Sequence, residues 1–445
     1  MRLVRLAALL LLLAPIASAR AELGQGVLLG DQANLMGGAV TATSRGGASM
    51  WYNPAGITLA EHDRASIAVS GAGYTMRWYR APEILQASGY AEPASGTSDV
   101  VVLPRVATFV ASVGSKLSLG IGVFNPTKQE VTFQIVQNYP YDTGTGTNAL
   151  AASVSRARYH SVIALAWTPR PELRFGASVH FTTYSWFDMT QFGSVYQDST
   201  GATPDRSVQQ NEQVDNFAGG LAASFGVEWQ PHPKVRVGAS LTSPTIAVLQ
   251  WVEEVRFNSA ADGATGDVTV TTNTVSKSGF TFQVPEPMVL RAGIAYSTPK
   301  LVLELDGEFL SPARTATFAV DRQMTGNVRA GALISVFPKV VLGVGLFTDL
   351  MNTDRQMNEI GQLDVDGLGG TLGIAFVSRP PGTPRTTEGS SVSYAITAAT
   401  RYTHYAGQVA GVRIGAPGDA STITVGPTSL KENELGLHLG INAFW

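Results

Sequence analysis

The sequence predicts an all-β protein, a transmembrane antiparallel β-barrel of about 14 strands with an N-terminal hatch inside the lumen. Three observations carry this. Strictly alternating apolar runs recur in pairs across short turns. The chain opens on a secretory leader, and no later segment approaches the ~20 apolar residues a membrane helix needs. It closes on "ELGLHLGINAFW", where Leu435, Leu437, Leu439, Ile441, Ala443 and Trp445 take every second position. An exported chain that spans lipid without helices must close its strands into a cylinder, because lipid satisfies no free backbone N–H or C=O.

The leader is "MRLVRLAALLLLLAPIASARA". Arg2 and Arg5 make a basic start, Leu6 to Ile16 an apolar run, and Ala17-Ser18-Ala19 or Ala19-Arg20-Ala21 a small-residue cleavage site. The run is too short to cross about 30 Å of hydrocarbon, so residues 1–21 are expected to be a signal peptide cleaved near Ala19 or Ala21. Losing Arg2, Arg5 and Arg20 leaves 28 basic residues against 34 acidic, which argues against nucleic acid as a partner. The chain has no Cys, which removes disulfides, thiolate metal sites and a Cys nucleophile.

Residues 22–64 precede the first strand and do not alternate. A barrel of this size would leak unless filled, since about eight strands pack shut while sixteen to eighteen leave an aqueous channel. Residues 22–64 are therefore expected to form the hatch, and residues 65–445 the barrel.

The first strand is expected at "SIAVSGAGYTMRWY" (Ser66–Tyr79). Hairpins follow in series. "VATFVASVG" and "LSLGIGVF" flank Gly114-Ser115-Lys116; "YHSVIALAW" and "LRFGASVHFTTYSW" flank a turn holding Pro169 and Pro171. Later pairs turn at Pro231–Lys234, Pro299-Lys300, Pro338-Lys339 and residues 378–390. Pro lacks the N–H a ladder needs and so belongs in these connections. Polar segments at 80–103, 125–156, 188–215, 245–279, 311–326 and 350–366 read as long loops at the opposite end. Six hairpins, the first strand and a last strand after residue 406 make fourteen.

Single strands show which face meets lipid. In "LVLELDGEFL", Leu301, Leu303, Leu305 and Phe309 share one side and Glu304, Asp306 and Glu308 the other. Carboxylates cannot face hydrocarbon, so their side is expected to face a wet lumen. The closing strand places Leu437, Leu439 and Ile441 on lipid and ends on Trp445, a pattern that resembles the C-terminal signal read by the barrel-assembly machinery.

Within the hatch stands "GQGVLLGDQANLMGGAVTATSRGGASMWYNPAGITLAE". Gly38-Ala39-Val40-Thr41-Ala42, a small-residue run and then Asn53-Pro54-Ala55-Gly56, just before the first strand, resemble the outer-membrane transporters of long-chain fatty acids and aromatic hydrocarbons, the FadL-like group. The resemblance implies a hatch built on Asn53, Pro54 and Ala55, and passive uptake of hydrophobic small molecules, long-chain fatty acids first and alkyl or aromatic hydrocarbons second. It also implies exit through a wall opening at a kinked strand, for which Gly120 or Gly122 is the candidate. The resemblance places the protein in the bacterial outer membrane, in contact with its lipid; it is expected to be a monomer.

The loop aromatics Tyr139, Tyr141, Phe187 and Phe192 are candidates for ligand contact, while Trp78, Trp186 and Trp251 suit the membrane–water boundary. No catalytic, metal or cofactor site is expected. There is no Gly-Xaa-Ser-Xaa-Gly elbow, and the six His lack His-Glu-Xaa-Xaa-His spacing. A general porin or a purely structural barrel is the alternative.

Overall fold

The computed structural model describes residues 28–58, 65–87, 90–98, 105–141, 144–198, 206–262, 267–315, 320–351, 363–378, 393–414 and 423–445. The leader lies outside the described residues. The strands are β1 (Ala65–Ala87), β2 (Tyr90–Ser98), β3 (Val106–Val113), β4 (Leu117–Tyr141), β5 (Gly144–Arg170), β6 (Leu173–Asp198) and β7 (Arg206–His232). They continue as β8 (Val235–Thr242), β9 (Thr245–Asp262), β10 (Asp267–Glu286), β11 (Val289–Ser297) and β12 (Leu301–Leu310). Next are β13 (Ala313–Thr315), β14 (Val320–Arg322), β15 (Thr325–Phe337), β16 (Val340–Asp349), β17 (Leu363–Val377), β18 (Ser393–Ile414) and β19 (Ile423–Phe444).

Several of these are halves of one stave. β2 and β3 both pair with β1, β8 leads into β9 across Ser243-Pro244 and β10 into β11 across Pro287-Met288, while β13 and β14 form a separate small pair between β12 and β15 in the chain. Fourteen antiparallel staves result, and they close. β1 pairs with β19 from Ser66↔Phe444 to Arg80↔Lys431 and with β3 from Ala65↔Ala111 to Ser70↔Val106. Ala65 and Trp445 exchange both backbone hydrogen bonds at 3.1 Å, so the last residue seals the seam with the first strand.

The alternation decides inside from outside. Leu117, Leu119, Ile121 and Val123 are 39–55% exposed on the outer wall, and Leu303, Leu305, Leu437, Leu439 and Ile441 are 44–56% exposed there, while Ser118, His438 and the carboxylates of β12 are buried inside. This inverts an ordinary globule and matches a cylinder in hydrocarbon. Among the described residues no helix is long and apolar enough to cross a membrane.

Two expectations need correction. The polar segments read as long loops are in large part strand: β4 and β5 stay paired out to Tyr141↔Gly144, and β9 and β10 to Asp262↔Asp267. Beyond the hydrocarbon neither face of a hairpin needs apolar residues, so the ladder continues after the sequence alternation has faded. Glu304, Asp306 and Glu308 do point inward, but not into water. All three are buried, because the hatch and two guanidiniums fill the lumen at their level.

The pairing of β4 runs unbroken through Gly120 and Gly122, opposite Val110 and Thr108 on one side and Ala164 and Val162 on the other. The register shifts after Phe124, at Asn125-Pro126, where a missing N–H breaks the ladder. One extra residue there exchanges the faces: below it Val123 points out, above it Val136 points out and Ile135 in.

Inside lie residues 28–58, with two short helices, α1 (Asp31–Leu35) and α2 (Ser49–Tyr52), and a 3-10 turn at Pro54–Ile57. Leu29, Leu35, Met36, Val40, Met50, Tyr52 and Ile57 pack against inward wall residues including Val106, Val110, Phe124, Val162 and Phe347. The plug and the wall thus share one core.

Candidate functional site

The Asn-Pro-Ala turn seats itself by backbone contact. The Asn53 amide donates to the carbonyls of Thr41 (2.8 Å) and Val227 (3.0 Å), tying the hatch to itself and to β7. Its Oδ1 accepts from Ala55 N at 3.2 Å, an N-cap for the turn that Pro54 opens with a pre-set φ. The wall beneath must be bare: a Cβ at Gly176 would stand 2.2 Å from the Pro54 carbonyl carbon, and one at Gly226 2.1 Å from Asn53 Oδ1. Glycine on β6 and β7 is what lets the turn lie flat on the sheet.

Carboxylates latch the rest. Asp306 accepts from the backbone N–H of Val40 and of Thr41, both at 2.8 Å, and Glu304 from Ala42 N at 2.5 Å and from the Thr43 hydroxyl. Three consecutive amides therefore cap two wall carboxylates. Three staves along the wall, Arg45 of the hatch clasps Glu228 of β7 with both terminal nitrogens, beside Arg174 of β6 at 2.8 Å. Asp31 of α1 is held by His438 Nε2 (3.0 Å) and Asn442 Nδ2 (2.7 Å) on β19. The Ser240 hydroxyl donates to Tyr52 O at 2.6 Å. Each contact is charge-assisted or buried, the class worth about 1.5–3 kcal/mol when a charge takes part.

Above α2 the wall is polar. Glu308 binds Arg291 Nε (2.7 Å) and Arg329 (2.8 Å), and Arg291 lies 5.9 Å from the Tyr52 ring centroid. Tyr52 accepts from Leu29 N at 2.9 Å, and burial raises its pKa above the ordinary phenol value, keeping it protonated. Trp51 stands at the rim, edge-on to His160 with ring centroids 4.9 Å apart and 5.9 Å from Phe124. Between Trp51, Arg158, His160, His180 and Glu286 remains a cavity of about 30 Å³, room for a water or two. A second cavity of about 30 Å³ borders Asn34, Arg105 and Arg401.

The aromatics separate on this frame. Phe192 is buried inside, in one cross-strand row with Ile135 and Leu150, an apolar patch in the outer lumen. Phe187 is on the odd-numbered outer row of β6, so alternation points it away from the lumen. Tyr139 and Tyr141 face Gly146 and Gly144 by backbone register; their side chains lie outside the described residues. Trp186, on the inner row, packs on the buried cluster of Tyr184, Ala218 and Ala247. Sequence reasoning missed Glu228, Arg45, Asp31 and His438 as latch residues. The one signal it held was the run of carboxylates on β12, which it assigned to water.

No protein-family model and no curated protein sequence matches the chain. Solved structures do match over nearly their whole length. The P. putida toluene transporter TodX aligns at TM-score 0.59 and 13% identity, over 94% of this chain and 98% of that one. A Pseudomonas aeruginosa FadL homologue aligns at 0.57 and 11%, over 93% and 98%, and the monoaromatic hydrocarbon channel CymD at 0.56 and 12%, over 94% and 98%. At such identities the likeness establishes a common fold.

Proposed function

We propose that this barrel sits in the bacterial outer membrane and passes hydrophobic compounds inward, down their gradient, past a hatch that blocks the lumen. The observation that carries the reading is the hatch itself. It shares one core with the wall, and among the described residues the two cavities that border it on Trp51 and on Asn34 hold about 30 Å³ each, too small for a sugar. A general porin needs an open, charge-lined constriction, so that alternative fits poorly. Ile135, Leu150 and Phe192 give the inner face of β4–β6 a buried apolar row, and cargo that inserts against such side chains gains roughly 0.8 kcal/mol per buried CH₂. The solved structures of like fold include a toluene transporter and a monoaromatic hydrocarbon channel, which supports cargo of this kind.

Long-chain fatty acids and alkyl or aromatic hydrocarbons both suit such a lumen. Two exits are open to them: displacement of the hatch, or a side passage where β1 bulges at Gly71 (φ +88°) and β4 shifts register at Asn125-Pro126. Residues 22–64 act as the hatch of a monomer that the assembly machinery inserts through its C-terminal strand, after a leader is cut near Ala19 or Ala21. The test is reconstitution in liposomes: labelled oleate or toluene should enter faster than into empty vesicles, while arabinose should cause no swelling. Swelling in arabinose without hydrophobe uptake would favour the porin.

A further inference from the structure

Resting on that reading, we infer that Glu286 is a built-in counter-ion that occupies the cationic handle above the hatch, so that the channel selects neutral hydrophobic cargo over carboxylates. The handle is made of the groups a fatty acid headgroup would seek. Arg158 of β5 is 3% exposed and projects inward beside His160 and the Thr245 hydroxyl. Every one of them is turned onto Glu286. Arg158 NH1 lies 2.5 Å and His160 Nε2 3.5 Å from its Oε1, and Thr245 donates to its Oε2. The other Arg158 terminal nitrogen donates to Thr127 Oγ1 at 2.8 Å.

The placement of Glu286 is built into the backbone. Two adjacent staves break side by side, at Ser243-Pro244 and at Pro287-Met288, and Glu286 pairs with Thr245 at that break after two register shifts. The carboxylate is thereby set at the cavity wall, 8% exposed, rather than in the outer hairpin where β10 is otherwise open.

The remaining charged and titratable groups at the cavity are engaged as well. Arg291 binds Glu308 at 2.7 Å and the Trp51 carbonyl at 3.4 Å. His180 Nε2 is shared by the hydroxyls of Ser178 (3.0 Å) and Ser224 (3.1 Å). A carboxylate arriving at the 30 Å³ cavity would meet a like charge already seated there, and would have to displace it from Arg158 and Thr245, with His160 alongside. A neutral molecule meets no such opponent: Trp51, Ala222 and Val289 give it apolar contact.

The experiment compares two ligands of equal chain length, dodecanoate and 1-dodecanol, on the full-length protein in detergent at pH 8, by calorimetry and Trp fluorescence. Wild type should bind dodecanol at least about tenfold more tightly, the scale of one lost charge-assisted contact. In Glu286→Gln the dodecanoate-to-dodecanol affinity ratio should rise by at least about tenfold, and adding Arg158→Gln should abolish that rise. Dodecanoate binding the wild type as tightly as dodecanol, or a ratio unmoved in a folded Glu286→Gln barrel, would overturn the inference. Should that variant fail to fold, the wild-type ratio decides alone. Wild type that binds neither ligand overturns the channel reading and the selectivity with it, whereas tight dodecanoate binding overturns the selectivity only.

Discussion

Replacing Asp306 by Ala should loosen one defined turn of the hatch and leave the barrel standing. Val40 N and Thr41 N each donate to Asp306 Oδ2 at 2.8 Å, and both residues are buried. With the carboxylate gone, two backbone donors lose their acceptor. An orphaned buried donor costs about 1–3 kcal/mol, so the turn weakens by about 2–6 kcal/mol, toward the low end if water enters the space. At 1.36 kcal/mol per decade, local opening becomes about thirtyfold to twenty-five-thousandfold more frequent. Hydrogen–deuterium exchange reads this directly, since amides that open locally exchange in proportion to the open fraction. Peptides covering Val40 and Thr41 should lose protection by that factor, while those from β18 and β19 keep theirs. Asp306→Asn, which retains a carbonyl acceptor, should fall between. Exchange at Val40 and Thr41 unchanged in Asp306→Ala would refute the claim that wall carboxylates hold the hatch.

Other substitutions test the remaining joints. Gly226→Ala puts a Cβ 2.1 Å from Asn53 Oδ1, so the Asn-Pro-Ala turn must lift; overpacking of this kind costs about 1–3 kcal/mol, and limited proteolysis should cut the hatch faster than in wild type. Leu305→Arg places a charge on the outer wall, where Leu305 is 53% exposed; the cost is about 2–4 kcal/mol near the bilayer midplane, read as a lower denaturant midpoint in lipid vesicles, whereas a detergent micelle should show less. Removing Trp445 deletes both hydrogen bonds to Ala65 and should reduce the yield of heat-modifiable folded barrel in membranes.

The barrel was legible because hydrocarbon imposes period-two alternation on any strand it touches. The run Leu301–Leu310 shows it: apolar residues outside, carboxylates inside. Beyond the bilayer that pressure ends, so the outer parts of β4, β5, β9 and β10 read as loops although their ladders continue. The hatch was legible as a non-alternating segment carrying Asn53-Pro54-Ala55, but its partners were not. Arg45 and Glu228 are 183 positions apart and Asp31 and His438 are 407 apart, and nothing in a linear pattern brings such pairs together. The carboxylates of β12 looked solvated because a single strand cannot reveal what fills the lumen beside it. The wall irregularity at Asn125-Pro126 was hidden by two nearby glycines, which seemed the softer positions; loss of an N–H at Pro126 breaks a ladder more than loss of a side chain does.

The most direct test of a hatch-sealed barrel is single-channel conductance in planar bilayers, comparing the full-length protein with one lacking residues 22–64. The full-length barrel should be closed to ions apart from rare brief events, and the shortened one should show large, steady, ohmic steps. Equal conductance in the two, with both folded, would contradict the account.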